Sequence, residues 1–356
     1  MKEALLYKTI VKNQSVQCRA CNHFCIIAPG KRGKCGVREN KYGKLFSLVW
    51  GRINSLNIDP IEKKPFFHFL PGSQTLSLCT VGCNFACRNC QNWQISQGPK
   101  IDGKIDGQNF LPQKIIEIAL KYKIPSISYT YTEPTVFFEY ALEIMKLAKQ
   151  KGIKNCWISN GFMSKDLIEI ISPYLDAINV DLKSFSEEFY QKYCKGRLHP
   201  ILENLKNFKK RGIWVEITTL FISDITSISD IKKIAKFIKN ELGSETPWHI
   251  SRFFPEISWQ LRTLPSTPIQ DIKDACQIGL DKSLKYVYAG NVPGLASEDT
   301  YCPKCHKKMI NRTGYFIERF DKNGKCSNCQ EDLNIIEQTT KLPKEDNGIK
   351  IKIHEE

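Results

Sequence analysis

Three cysteines share one short stretch, Gly82-Cys83-Asn84-Phe85-Ala86-Cys87-Arg88-Asn89-Cys90, spaced Cys-x3-Cys-x2-Cys. Three thiolates on one loop can hold a metal or an iron–sulfur cluster while leaving one coordination position open. A purely structural site wants a fourth ligand. Cys79, four residues upstream, could supply it, although it falls on a predicted strand and its side chain need not face the loop. A closed zinc site on Cys79, Cys83, Cys87 and Cys90 is therefore the competing reading.

Two further cysteine sets flank this one. Cys18-x2-Cys21-x3-Cys25-x9-Cys35 lies among the turn residues Gly30, Gly33 and Gly36. Four thiols so close suit a structural zinc or an auxiliary iron–sulfur cluster, and His23 is then surplus. Near the other end, Cys302-x2-Cys305, twenty residues and Cys326-x2-Cys329 give the spacing of a zinc ribbon. Seven Lys/Arg against two acids between its outer cysteines make nucleic-acid contact conceivable, but metal-stabilised folding of a small apolar-poor unit is the simpler role. Of the remaining thiols, Cys156 and Cys276 read as small buried hydrophobes, while Cys194, in Tyr193-Cys194-Lys195-Gly196, could be exposed.

Fifteen cysteines is an odd count, and with no signal peptide it points to metal sites in a reducing cytoplasm. The start, Met1-Lys2-Glu3-Ala4, is not apolar, and no run approaches the ~18 residues of a membrane span. The net charge of +15, from 52 Lys+Arg against 37 Asp+Glu, admits a nucleic-acid partner, though a lysine-rich solvated surface explains it as well.

Positioning such a loop needs a frame. The 356 residues suit one large domain with small modules. We expect a Cys-rich module over 1–55, a core over 56–297, a zinc-ribbon-like module over 298–335 and a flexible tail over 336–356. Within the core, β-rich runs alternate with helical periods. The expected strands cover 75–79, 126–130, 155–159, 177–181, 214–218, 249–253 and 286–289. Phe137, Ala141, Ile144 and Ala148 form one helix face; Ser164 and Ser229 stand at helix starts, and Gly243 at a stop. Strand–helix alternation implies a parallel sheet. Polar residues at nearly every strand end favour a partial (βα)6-type barrel over a doubly wound sheet.

Those strand-end residues are Glu133, Asn160, Gly161, Asp181, Lys183 and His249. Each has an ordinary explanation too. Glu133 can cap a helix, Asn160-Gly161 can be a turn, Asp181 a cap, Lys183 a solvated charge and His249 a core histidine.

Taken together, the chain resembles the radical S-adenosylmethionine (SAM) superfamily, whose signature is this Cys-x3-Cys-x2-Cys. The stretches Val81–Phe85, Tyr131-Thr132-Glu133-Pro134, Ser159-Asn160-Gly161, Asp181-Leu182-Lys183, His249–Phe253 and Gly290–Gly294 look like the branch called AmmeMemoRadiSam-system radical SAM enzymes, relatives of pyruvate formate-lyase activating enzymes. The resemblance implies a [4Fe-4S] cluster on Cys83, Cys87 and Cys90, with SAM chelating the fourth iron. Reductive cleavage of SAM would give a 5′-deoxyadenosyl radical that abstracts hydrogen from an unidentified substrate. Glu133 would accept the SAM ammonium, Lys183 would meet its carboxylate, and Asn160, Gly161, Asp181 and His249 would border the cofactor. A low-potential donor such as ferredoxin or flavodoxin, and Memo-like and AMMECR-like proteins, are the implied partners. Two departures stand out. Asn89 replaces an aromatic residue, and Trp157-Ile158 replace the acidic residue common in glycyl-radical activases, which weakens direct transfer of the activase function.

Overall fold

The computed structural model describes residues 1–10 and 13–337. Most of the expected tail therefore lies outside the described residues. Its first residue is not tail: the Ile336 N–H donates to the His68 carbonyl at 2.8 Å.

Eight strands form one sheet: β1 (Ser55–Pro60), β2 (Gln74–Cys79), β3 (Ser126–Tyr129), β4 (Lys154–Ser159), β5 (Ala177–Asp181), β6 (Trp214–Phe221), β7 (Trp248–Arg252) and β8 (Val287–Gly290). Their order is strictly sequential. Strands β2 to β8 run parallel, and β1 adds an antiparallel edge to β2. The crossovers carry α1 (Trp93–Ile101), α2 (Pro112–Lys121), α3 (Phe138–Gln150), α4 (Lys165–Ile171), α5 (His199–Lys210), α6 (Ile228–Phe237) and α7 (Ile269–Asp281). A doubly wound sheet reverses its strand order at a switch point, whereas sequential order is the winding of a barrel. Among the described residues no ladder joins β8 to β1, so the barrel stays open.

The seven expected strands all form; β6 runs three residues longer, and β1 is an addition. Burial on both faces explains their continuous apolar runs: all four residues of β3 are buried. Ser164 caps α4, its Oγ accepting the Leu167 N–H at 3.1 Å. The cap of α6 is Ser227, not Ser229: Ser227 Oγ accepts the Asp230 N–H at 3.0 Å. Ser227 supplies the extended backbone that a cap needs, so the helix begins at Ile228 and absorbs Ser229.

The N-terminal halves of β5 to β7 are covered by residues 61–72. Glu216 on β6 accepts the Phe67 and His68 N–H groups, both at 2.9 Å, and Asn179 on β5 donates to the Pro65 carbonyl. The ribbon docks on the same segment. Arg312 is 3% exposed; it donates to the Phe67 carbonyl at 2.9 Å and sits 4.1 Å over the Phe67 ring. His68 Nδ1 faces the Leu333 carbonyl at 3.0 Å, which can only accept, so that nitrogen carries the proton. Its Nε2 then takes the Tyr288 hydroxyl proton at 2.6 Å, and burial pushes the imidazole pKa down to about 4, in keeping with a neutral ring. The ribbon thus anchors at the end of the barrel opposite the cysteine loop, which follows the C-terminal end of β2.

Two three-stranded sheets precede the barrel: Lys2–Glu3, Arg38–Lys41 and Lys44–Ser47, then Tyr7–Ile10, Ser15–Cys18 and Ile26–Ile27. Their Val16, Val37 and Leu45 belong to the same apolar core as Leu78, Phe85 and Val136 of the barrel. Arg38 reaches across to Glu139 on α3 through two hydrogen bonds, Nη1 at 2.9 Å and Nη2 at 2.5 Å, with both side chains buried. No helix among the described residues is long and apolar enough to cross a membrane.

Candidate active site at the carboxyl ends of the strands

The loop from β2 to α1 is pinned along its backbone. Gly82 N–H donates to Ile95, Ala86 N–H to Cys194 and Arg88 N–H to Tyr193, each at 2.9 Å, while the Arg88 carbonyl accepts the Gln260 N–H at 2.8 Å. Gly82 has φ +101°, and a Cβ there would lie 2.6 Å from Val37 Cγ1, so only glycine lets the loop pass over the N-terminal sheets. Cys87 is buried and Cys83 and Cys90 are half-buried. Burial pushes the Cys83 and Cys90 thiols up. Cys87 is pushed well above the usual thiol range first by a hydrogen bond with the Cys194 thiol and then by burial. A metal that takes these sulfurs must therefore displace protons.

The contact with Cys194 corrects the expectation of an exposed thiol. Cys194 ends a π-helical turn, Tyr190–Cys194, that turns it fully inward. Cys79 is fully buried, and the polar contact of its thiol is a hydrogen bond with the Ser55 backbone, which follows from the pairing of β1 with β2. No contact among the described residues brings Cys79 to the loop as a fourth ligand. Among the described residues, the one set of three or more candidate ligand atoms gathered within 4.8 Å is Cys302, Cys305, Cys326 and Cys329.

The ends of β3, β4 and β5 bring Glu133, Asn160, Gly161, Asp181 and Lys183 around the loop. Glu133 is not a free acceptor. Its carboxylate receives the Thr135 N–H and hydroxyl, the Ser159 hydroxyl and the Asn160 N–H at 2.5–3.1 Å. Burial lifts its pKa, and those hydrogen bonds oppose the rise. Its first role is to clamp the turn after β4. Asn160 Nδ2 donates to Asn84 Oδ1 at 2.7 Å, tying that turn to the cysteine loop. Gly161 has φ +71°, and a Cβ there would approach Val180 Cγ1 to 2.9 Å. Gly161→Ala should therefore lower stability by roughly 1–2 kcal/mol, read by denaturant unfolding.

Lys183 is paired with Asp181 at 2.8 Å and points toward Cys87 and Cys194. Burial alone would lower its pKa; Asp181 and the two sulfurs outweigh that and hold it high. His249 does not join this set. It lies in the N-terminal half of β7, buried, with Nε2 2.6 Å from Glu216 and its ring against Phe67 and Tyr288. Through Thr218 of β6 its register is level with Asp181, but its side chain is taken by Glu216 and Phe67, which motif spacing cannot reveal.

The sequence reading missed two features. Asn84 Nδ2 and Asn89 Oδ1 are buried with no partner among the described residues. Beside Cys87, a cleft of about 340 Å³ is lined by Ala86, Arg88, Lys192, Lys195, Trp259 and Gln260. Lys192 and Lys195 bracket Cys194 in sequence, the one signal that could have exposed the cleft earlier.

A family model for the radical SAM superfamily matches residues 77–238. An uncharacterized protein of Methanocaldococcus jannaschii is 42% identical over 340 residues, covering 94% of this chain and 100% of its own. The chain belongs to the radical SAM superfamily. A second protein of that organism, provisionally named a glycyl-radical enzyme activating enzyme, is 30% identical over 174 residues, which is 47% of this chain and 64% of its own. Among solved structures, Streptococcus suis SuiB bound to the precursor peptide SuiA has a TM-score of 0.48 at 14% identity, covering 66% of this chain and 52% of SuiB. As a radical SAM protein the chain is an enzyme that generates a 5′-deoxyadenosyl radical and uses SAM and a [4Fe-4S] cluster, and its C-terminal cysteine set is fit to hold a metal.

Proposed function

We propose that Cys83, Cys87 and Cys90 ligate the cluster, that SAM lies between it and the turns after β3, β4 and β5, and that hydrogen is taken from a substrate entering by the cleft beside Cys87. The observation that carries this reading is the loop itself: three thiols, no fourth from Cys79, and a buried Asn89 Oδ1 left for a ligand to satisfy. When bound, the cluster and SAM supply a one-electron cleavage that yields the abstracting radical. The protein's residues hold and orient. Lys183 offers its charge to a carboxylate, Asp181 keeps that ammonium aimed, and Gly161 lets backbone approach closely. Glu133 fixes the Asn160 turn, and an ammonium bound there has to share an oxygen already accepting from protein. Anaerobically reconstituted, dithionite-reduced protein should release 5′-deoxyadenosine and methionine from SAM; release of neither would defeat the proposal.

Cys194 sharpens the test, because its contact with Cys87 makes it a possible fourth ligand. If the fourth position is open to SAM, Cys194→Ala should keep its iron and cleave SAM within a few-fold of the parent. Loss of the cluster in that variant would mean a closed four-thiolate site.

The cleft carries three cations and no carboxylate, which favours a substrate bearing anionic groups. A protein glycine is the second reading, supported by the relative whose name refers to glycyl-radical enzyme activation. The ribbon would take zinc: the Sγ pairs Cys302–Cys329 and Cys305–Cys326 lie 3.5 Å apart, near the roughly 3.8 Å edge of a tetrahedral zinc–thiolate site. A ferredoxin- or flavodoxin-type donor in the cytoplasm would supply the electron, and Memo-like and AMMECR-like proteins are the first partners to test, on the resemblance alone.

A further inference from the structure

We infer that Cys18, Cys21, Cys25 and Cys35 hold a second iron–sulfur cluster, and not a zinc ion. The four thiols line one cavity, shared with Arg38 and with Asn84 of the central loop. The strands bring them there. Cys18 ends Ser15–Cys18, its N–H donates to the Cys25 carbonyl at 2.9 Å, and Cys21 bridges Met163 after β4.

The ribbon serves as an internal standard for what one ion requires. A tetrahedral zinc draws its four sulfurs to about 3.8 Å from one another. The ribbon thiols come within 4.8 Å in every pair, while the N-terminal thiols do not gather into such a set. Neither do Cys83, Cys87 and Cys90. A cluster seats its thiolates on separate irons and spreads them farther than two ligands of one ion. Four thiols that surround a cavity without converging match that demand.

The lining carries a second sign of a ligand. Arg38 Nε and Asn84 Nδ2 are both buried with no partner among the described residues. Arg38 is 2% exposed and Asn84 3%. Both residues line the cavity, and the sulfides and thiolates of a cluster are acceptors that such stranded N–H groups lack. No carboxylate lines the cavity while Lys34 does, so an anionic group is favoured there. Asn84 also follows Cys83 directly, so the cavity lies one residue behind the central loop. A cluster here would be a second one-electron centre beside the first, filled by the same low-potential carrier. The inference rests on the N-terminal thiols and stands whether or not the central loop binds SAM.

The test is metal content by site. A variant with Cys83, Cys87 and Cys90 all changed to alanine, purified anaerobically, should keep iron and acid-labile sulfide in equal amounts, with about one zinc per chain. No iron and about two zincs, or no metal beyond the ribbon, would overturn the inference. Should that variant fail to fold, the intact protein decides. Mössbauer spectroscopy with metal analysis should find more than about four irons and about one zinc per chain, and Cys21→Ala should remove the excess iron. About four irons with two zincs would mean that the cavity takes zinc.

Discussion

Changing Cys87 to alanine is expected to abolish 5′-deoxyadenosine formation, a loss of at least about a thousandfold, well beyond the roughly 10–100-fold typical of residues that only orient a metal ligand. Cys87 is the most buried of the three loop thiols and has Lys183 and Cys194 as neighbours. The loop should survive the change. Ala86 and Arg88 are held by their own backbone hydrogen bonds to Cys194 and Tyr193, and none of these uses the Cys87 side chain. Stability should move by about 1 kcal/mol or less, and the ribbon metal should stay. Because Cys194 sits against Cys87, residual activity in the single variant would mean substitution by that neighbour, and the double variant with Cys194→Ala checks this. Full activity in the double variant would remove Cys87 from the proposed ligand set.

The second large effect concerns folding. Arg38→Ala should lower stability by about 3–5 kcal/mol, because it strands the Glu139 carboxylate, 1% exposed, without its bidentate partner. The paired replacement Arg38→Met with Glu139→Leu should recover most of that, since the cost lies in the unpaired charge and not in losing the pair. Denaturant unfolding of the metal-loaded protein reads both. A loss under about 1 kcal/mol for Arg38→Ala would mean that water or another cation reaches Glu139. The pair tethers the N-terminal sheets to α3, so the single variant should also lose its protection from proteolysis there first.

What could be read from sequence was local. The ribbon follows from two Cys-x2-Cys knuckles, the cap of α4 from Ser164, and seven strands from short β-branched runs between helical periods. The cysteine loop and the turns at Glu133, Asn160 and Lys183 could be placed because each follows a strand directly. The rest depends on pairings distant along the chain. Arg38 and Glu139 are 101 residues apart, and nothing in either neighbourhood names the other. His249 was drawn to the site by its polar neighbours, but its early position on β7 turns it to Glu216 and Phe67. Cys194 looked exposed among lysines until a π-helical turn rotated it inward. Glu133 read as an open acceptor because the turn that fills its carboxylate, Ser159-Asn160, belongs to another strand. Ser227 and Ser229 differ only in backbone conformation, which residue type does not report.

The most direct test of the central claim is electron–nuclear double resonance on the reduced, reconstituted enzyme with SAM labelled by ¹⁵N at its amino group. A nitrogen coupling to the cluster is expected, present with Cys194 or with alanine at that position, because an iron with three protein sulfurs keeps room for SAM. A cluster signal unchanged by labelled SAM, with no nitrogen coupling, would contradict it.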